Sequence, residues 1–297
     1  MKLLVVLVNY GTKQLKYLEK MINEFQSMKF EVDIVIHSNI ALDYENVEVK
    51  VIKLDNYEHL PFTTRKTIYE RRYDYDLYIY SENDHLITQK NIESFLKVTE
   101  ILPKNYIAGF FQFEKHDGKA FYPAYHKNFR WDIENAFKIG DYIFAQFTNI
   151  HQASFILTRK QLNRVINNFD FLNETFKTKY SLKYRLGESF WHRFRKFYRK
   201  YLNRYYHFSR KNFILSLFNR FIENNDFLNN ILNLNYSIKC RAGTDIYMYA
   251  GLKKVIPISH FDDFLIHHMP NNYKGRLGKS NNYMRKEIEK IIKKLGR

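Results

Sequence analysis

Glu82 and Asp84 stand two residues apart, directly after the apolar run Leu77-Tyr78-Ile79-Tyr80 and shortly before a helix-start signal, Thr88-Gln89-Lys90-Asn91. In an extended segment, side chains two apart share a face, so both carboxylates can look into one crevice. Hard oxygen ligands at this spacing suit Mg²⁺ or Mn²⁺ carrying a diphosphate. A capped, solvated loop after a strand would give the same local pattern. Two stretches in the last third carry groups of related chemistry. Cys240-Arg241-Ala242-Gly243-Thr244-Asp245 ends in an acid just ahead of the helical run 246–250, and an acid in that place commonly caps the helix. His267-His268 ends another apolar run. Successive strand residues face opposite sides, so only one of that pair can point into a site.

Bringing such distant groups together requires an α/β frame, and the hydrophobic pattern supplies one. Residues 3–8, 32–37, 47–54, 75–80, 106–113 and 151–158 read as strands. Between them, helical spacing predicts helices over 14–28, 64–73 after a break at Pro61, 91–101 and 159–167. The β-α-β-β-α-β-α-β order suggests a largely parallel sheet with helices on both faces. Residues 114–145 carry no assignment. In an open sheet of this class, ligands bind outside the carboxyl ends of the strands, where Glu82 and Asp84 stand.

At 297 residues and 45% hydrophobic content the chain is long and apolar enough for one large domain, or for a domain with a sizeable insertion. No run approaches the roughly 18–20 apolar residues that span a bilayer, and the segment 1–10 reads as a first strand, not a secretory signal. A single cysteine, Cys240, excludes an internal disulfide framework and a cysteine-built zinc site, which points to a reducing cytoplasm. The net charge of +17 is unevenly placed. Between Lys177 and Arg220 thirteen bases face one acid, Glu188, and from Lys274 to Arg297 nine bases face two acids, so the remainder is close to neutral. Inside the first of these segments, Phe190, Trp191, Phe194, Phe197, Tyr198, Tyr201 and Tyr205 form an aromatic stripe at helical spacing, with bases between. That is either a helix packed on the core by its aromatic side, or a basic amphipathic helix at an anionic membrane surface. No RNA- or DNA-binding module accompanies it, which speaks against nucleic acid.

In their order along the chain, these parts resemble the nucleotide-sugar-dependent glycosyltransferases of the GT-A fold. Asn9-Tyr10-Gly11 stands where that family places its nucleotide-contacting loop, and Glu82-Asn83-Asp84 where it carries its Asp-x-Asp-type motif. Gln152-Ala153-Ser154 matches its small-residue loop, Gly243-Thr244-Asp245 its catalytic acid near a helix start, and His267 or His268 its late metal-binding histidine. The resemblance implies a Rossmann-like GT-A fold, an α/β architecture with a mixed, mostly parallel sheet. Its catalytic domain would occupy 1–168 and 236–272, with a helical basic-aromatic insertion over 169–235 and a basic C-terminal helix over 273–297. It implies a metal-dependent transfer of a sugar from a nucleotide-sugar donor to a glycan or lipid-linked glycan of the bacterial surface-polysaccharide type. Mn²⁺ or Mg²⁺ would be held by Asp84 with His267 or His268. Asn9, Tyr10, Glu82, Asn83 and Ser154 would contact the donor, and Asp245 would serve as the base of an inverting reaction. The enzyme would work in the cytoplasm, docked at the inner face of the membrane by its basic segments. Two other readings stay open beside it. A sugar-phosphate nucleotidyltransferase would use a similar sheet and metal, with a glycine-rich loop after the first strand; a non-enzymatic membrane- or RNA-binding protein would use the basic segments alone.

Overall fold

The computed structural model describes residues 1–123, 131–147, 149–173, 238–272 and 279–296. The run Leu3-Leu4-Val5-Val6-Leu7-Val8 is buried throughout and forms most of strand β1 (Lys2–Asn9). A strand with no polar face must be covered on both sides, and such strands favour parallel pairing within a sheet. β1 indeed pairs in parallel with β2 (Glu31–Ser38) and with β4 (Leu77–Glu82), and β2 pairs in parallel with β3 (Val47–Val51). An antiparallel edge strand, β11 (Ser154–Thr158), completes the order β11-β4-β1-β2-β3. The fold is mixed α/β.

Helix α1 (Leu15–Gln26) buries Leu18, Met21, Ile22 and Phe25, the stripe expected from its spacing. α2 (Leu60–Glu70) begins earlier than predicted. Pro61 sits in its first turn, where the missing N–H costs nothing, and so starts the helix instead of breaking it. α3 (Gln89–Ile101) and α4 (Arg159–Asn168) open on capping boxes built by Thr88 with Asn91 and Thr158 with Gln161.

Two smaller sheets stand beside the parallel one. The first has the order β6-β12-β10-β9, from β6 (Tyr106–Ala108), β12 (Lys253–Pro257), β10 (Tyr142–Phe147) and β9 (Trp131–Ile139). The second has the order β14-β8-β7-β13-β5, from β14 (Lys279–Ser280), β8 (Lys119–Tyr122), β7 (Phe111–His116), β13 (Leu265–His268) and β5 (His85–Leu86). The strand predicted over 106–113 is therefore two strands in different sheets. The chain changes sheets at Gly109, where a Cβ would lie 2.1 Å from Cε of the buried Lys254.

The last helices are α5 (Ile238–Tyr249) and α6 (Asn281–Leu295). α6 is the expected C-terminal helix, and it buries Met284, Ile288 and Ile291. Most of the predicted insertion, residues 174–235, lies outside the described residues, and with it the aromatic stripe.

Candidate metal centre

In the parallel sheet β2 and β3 lie on one side of β1, β4 and β11 on the other. The chain thus reverses its direction of travel between β1 and β4, and at such a switch point open α/β sheets take ligands, outside the carboxyl ends of the strands. The two strands finish side by side, Val8 paired with Glu82. Just beyond, Nδ2 of Asn83 donates to Oδ1 of Asn9 at 2.7 Å, while Nδ2 of Asn9 donates to Ser38 Oγ and to the Gly11 carbonyl. Gly11 adopts φ 67°, in the left-handed region that favours glycine. Asn9 and Asn83 therefore stitch the ends of β1 and β4 together, with their amides turned on each other. Tyr10 beside them is 63% exposed, its ring 5.3 Å from that of Tyr57.

Asp84 lies at the centre of a buried polar cluster. Its carboxylate has Oδ1 2.6 Å from Nδ1 of His85 and Oδ2 3.5 Å from Nε2 of His268. Gln14, just ahead of α1, donates its Nε2 to Oδ2 at 2.8 Å. The histidines reach this point because β13 pairs antiparallel with β5, which sets His268 opposite His85 with ring centroids 4.9 Å apart. One ligand atom from each of Asp84, His85 and His268 lies within 4.8 Å of the other two. Behind His268, Nδ1 meets Oε1 of the buried Glu114 at 2.6 Å.

The electrostatics arise from this packing. Burial pushes the Asp84 carboxyl up, but the His85 and His268 imidazoles outweigh it and hold the group well below the usual carboxylate range. Burial pulls His268 down, yet its contacts with Asp84 and Glu114 raise it to about 9. Without a metal, a protonated His268 supplies the positive charge these carboxylates need, and a bound cation would expel that proton. Desolvation raises the pKa of the partly buried Glu82, and the Asp84 charge adds to the effect.

The donor set fits a divalent cation. It joins one carboxylate to two imidazoles, with a ligand atom of each inside 4.8 Å, and a cation held there would replace the 2.6 Å contact between Asp84 Oδ1 and His85 Nδ1.

Of the residues expected at the site, Asp84 and His268 come together. His267 does not: it faces the other side of β13, stacked on Phe113 with Nε2 near Asn271 Oδ1. Strand alternation turns His268, and not His267, toward Asp84. Ser154 is fully buried and donates to the Gln152 carbonyl, one strand beyond β4. Asp245 lies inside α5, not ahead of it, so it caps nothing. Its buried carboxylate accepts from Nε of Arg241 at 3.0 Å and lies 3.7 Å from Nη2 of Arg65.

Three contributors were not singled out in the sequence: His85, Glu114 and Gln14. His85 directly follows Asp84, and Glu114 alternates with Gln112 and His116 along β7, so a buried polar face was written there. Nothing local to Gln14 marks it.

No family model matches the chain, and no curated protein does. Among solved structures, S. aureus TarS 1–349 is similar at a TM-score of 0.32 and 13% identity, over 55% of this chain and 48% of that one. The chain thus spans about half the length of that structure, and a likeness at this level carries no argument about fold or function.

Proposed function

We propose that this chain is a metal-dependent glycosyltransferase that moves a sugar from a nucleotide-sugar donor to a glycan or lipid-linked acceptor. The observation that carries the reading is the convergence of Asp84, His85 and His268 at the switch point of a parallel sheet. Two imidazoles and a carboxylate also make the donor set of non-haem iron sites. Position is what favours the diphosphate reading, because the crevice at a switch point is where open α/β sheets take nucleotides. Two nitrogens among the ligands favour Mn²⁺ over Mg²⁺, which prefers oxygen throughout.

In this reading Asp84, His85 and His268 hold the cation, and a cation there would neutralise charge developing on the leaving nucleoside diphosphate. Gln14 steadies the Asp84 carboxylate, and Asn9 with Asn83 ties the ends of β1 and β4 together. Exposed Tyr10, at the end of β1, offers a ring on which a base can stack. Glu82, next in sequence but one to Asp84, would bind a ribose hydroxyl or a metal-bound water. No base is assigned, since the Asp245 carboxylate is already engaged by two arginines.

The test is nucleoside-diphosphate release from a panel of nucleotide sugars, with Mn²⁺ and with chelator. Slow hydrolysis of one donor should require the metal and fall roughly a hundredfold or more in Asp84→Asn. Absence of both turnover and Mn²⁺-dependent nucleotide binding across the panel would sink the proposal.

A further inference from the structure

Glu114 is buried within the second small sheet, on β7, which runs parallel to β13 and pairs Phe113 with His267. The register carries Glu114 to the flank of His268, and β5 brings His85 to the other flank. Glu114, His268 and His85 thus form a row across three neighbouring strands, with the Asp84 carboxylate against both histidines. Both oxygens of Glu114 are engaged: Oε1 lies 2.6 Å from His268 Nδ1, and Oε2 lies 3.1 Å from His116 Nε2. The His116 ring is in turn set edge-on against Phe121, at 5.8 Å between centroids.

An ionised carboxylate only accepts hydrogen bonds. A histidine whose Nδ1 faces one must therefore carry its proton there when neutral, which leaves the Nε2 lone pair free. In this chain Nε2 is the ring nitrogen that lies toward Asp84, 3.5 Å from its Oδ2. His116 holds the second oxygen, so the carboxylate cannot swing away from the ring. We infer that Glu114 is the positioning residue that fixes His268 with Nε2 presented to a divalent cation. This rests on the metal reading of Asp84, His85 and His268, and extends it to a group that touches neither cation nor substrate. Carboxylate partners of metal-bound histidines act in this way, and their loss costs roughly 10–100-fold in metal affinity.

The test is calorimetric titration of the full chain with Mn²⁺ alone, comparing the parent with Glu114→Asp, Glu114→Gln and Asp84→Asn. Asp keeps the charge but draws the acceptor back by one methylene; Gln keeps the reach and an acceptor oxygen but loses the charge. Positioning predicts that Glu114→Asp binds roughly tenfold more weakly or worse. Glu114→Gln should stay within about threefold of the parent, because reach and acceptor survive. Melting temperatures recorded alongside separate this from a packing role, which would move stability in both variants and leave the affinity of the folded protein alone. If Glu114→Asp binds within about twofold of the parent, or Glu114→Gln loses at least as much as Glu114→Asp, the inference is overturned. In those cases a parent that binds Mn²⁺, and loses it in Asp84→Asn, would leave the metal reading standing. A parent that binds none would overturn both.

Discussion

Two guanidinium groups converge on the carboxylate of Asp245 in the protein interior. Arg241 reaches it from one turn back on α5, and Arg65 reaches it from α2. Arg65 also donates to the carbonyls of Arg241, Ala242 and Asn173, and its guanidinium lies over the rings of Phe62, Phe169 and Phe171. One buried cluster thus ties together α2, α5 and the segment after α4. The spacing of Arg241 and Asp245 along a helix is legible in the sequence. The third partner is not, because nothing local announces that Arg65 is buried. The cluster changes what a mutation at Asp245 should do. Removing the carboxylate leaves two guanidinium groups facing each other without their counter-charge, and breaking buried pairs in this way costs about 3–5 kcal/mol. Asp245→Asn should therefore lower the denaturant midpoint substantially. If the midpoint stays at the parent value while sugar transfer is lost, Asp245 returns to the role of catalytic base.

The elements that apolar period and caps can specify were legible: β1, β2, β4, α1, α3 and α4 all stand within a few residues of their expected places. The region 114–145 resisted because its signal lies in turns, not in periodicity. Asp117 and Gly118, at φ 50° and 73°, close the hairpin that pairs His116 with Lys119, and Gly140 at φ 54° opens the turn that pairs Ile139 with Tyr142. Two-residue turns of Gly with Asp are strong hairpin signals, and reading them would have placed Glu114 on a strand. The contact of β2 with α2 yields a prediction of its own. His37, at the end of β2, is buried between the hydroxyls of Thr63 and Thr67 on α2, at 2.7 and 2.9 Å. Desolvation and the Lys50 charge lower its pKa from 6.5 to about 4. The unfolded chain therefore binds the proton first as pH falls. The contribution of neutral His37 is complete above about pH 6.5 and is lost toward pH 4. Between pH 7 and 4.5 this amounts to about 2 kcal/mol. Urea unfolding of His37→Gln should show a correspondingly smaller loss over that interval, and equal losses in both proteins would refute the assignment.

Across the whole molecule, the two basic segments do not present their charge in the same way. In α6, Arg285 pairs with Asp262, Lys290 with Glu287, and Lys294 with Glu134 on β9, while the apolar face is buried. The helix expected as a basic appendage is docked on the body, with part of its charge answered there. The stretch from Lys177 to Arg220 carries thirteen bases and one acid of its own, so most of the excess charge available to an anionic surface is concentrated in it. Among the described residues no helix is long and apolar enough to cross a membrane. Electrostatic attraction is worth about 1 kcal/mol per base near anionic lipid and weakens with salt. Replacing Arg193, Lys196 and Lys200 with Gln should thus reduce co-sedimentation with phosphatidylserine vesicles by an order of magnitude or more. Replacing Lys290 and Lys294, whose charges are already paired, should change it little. Equal losses in the two variants would place the contact on the body of the protein instead. Binding to neutral vesicles as strong as to anionic ones would remove the electrostatic basis of membrane docking, while leaving the metal centre and its donor chemistry to stand on their own tests.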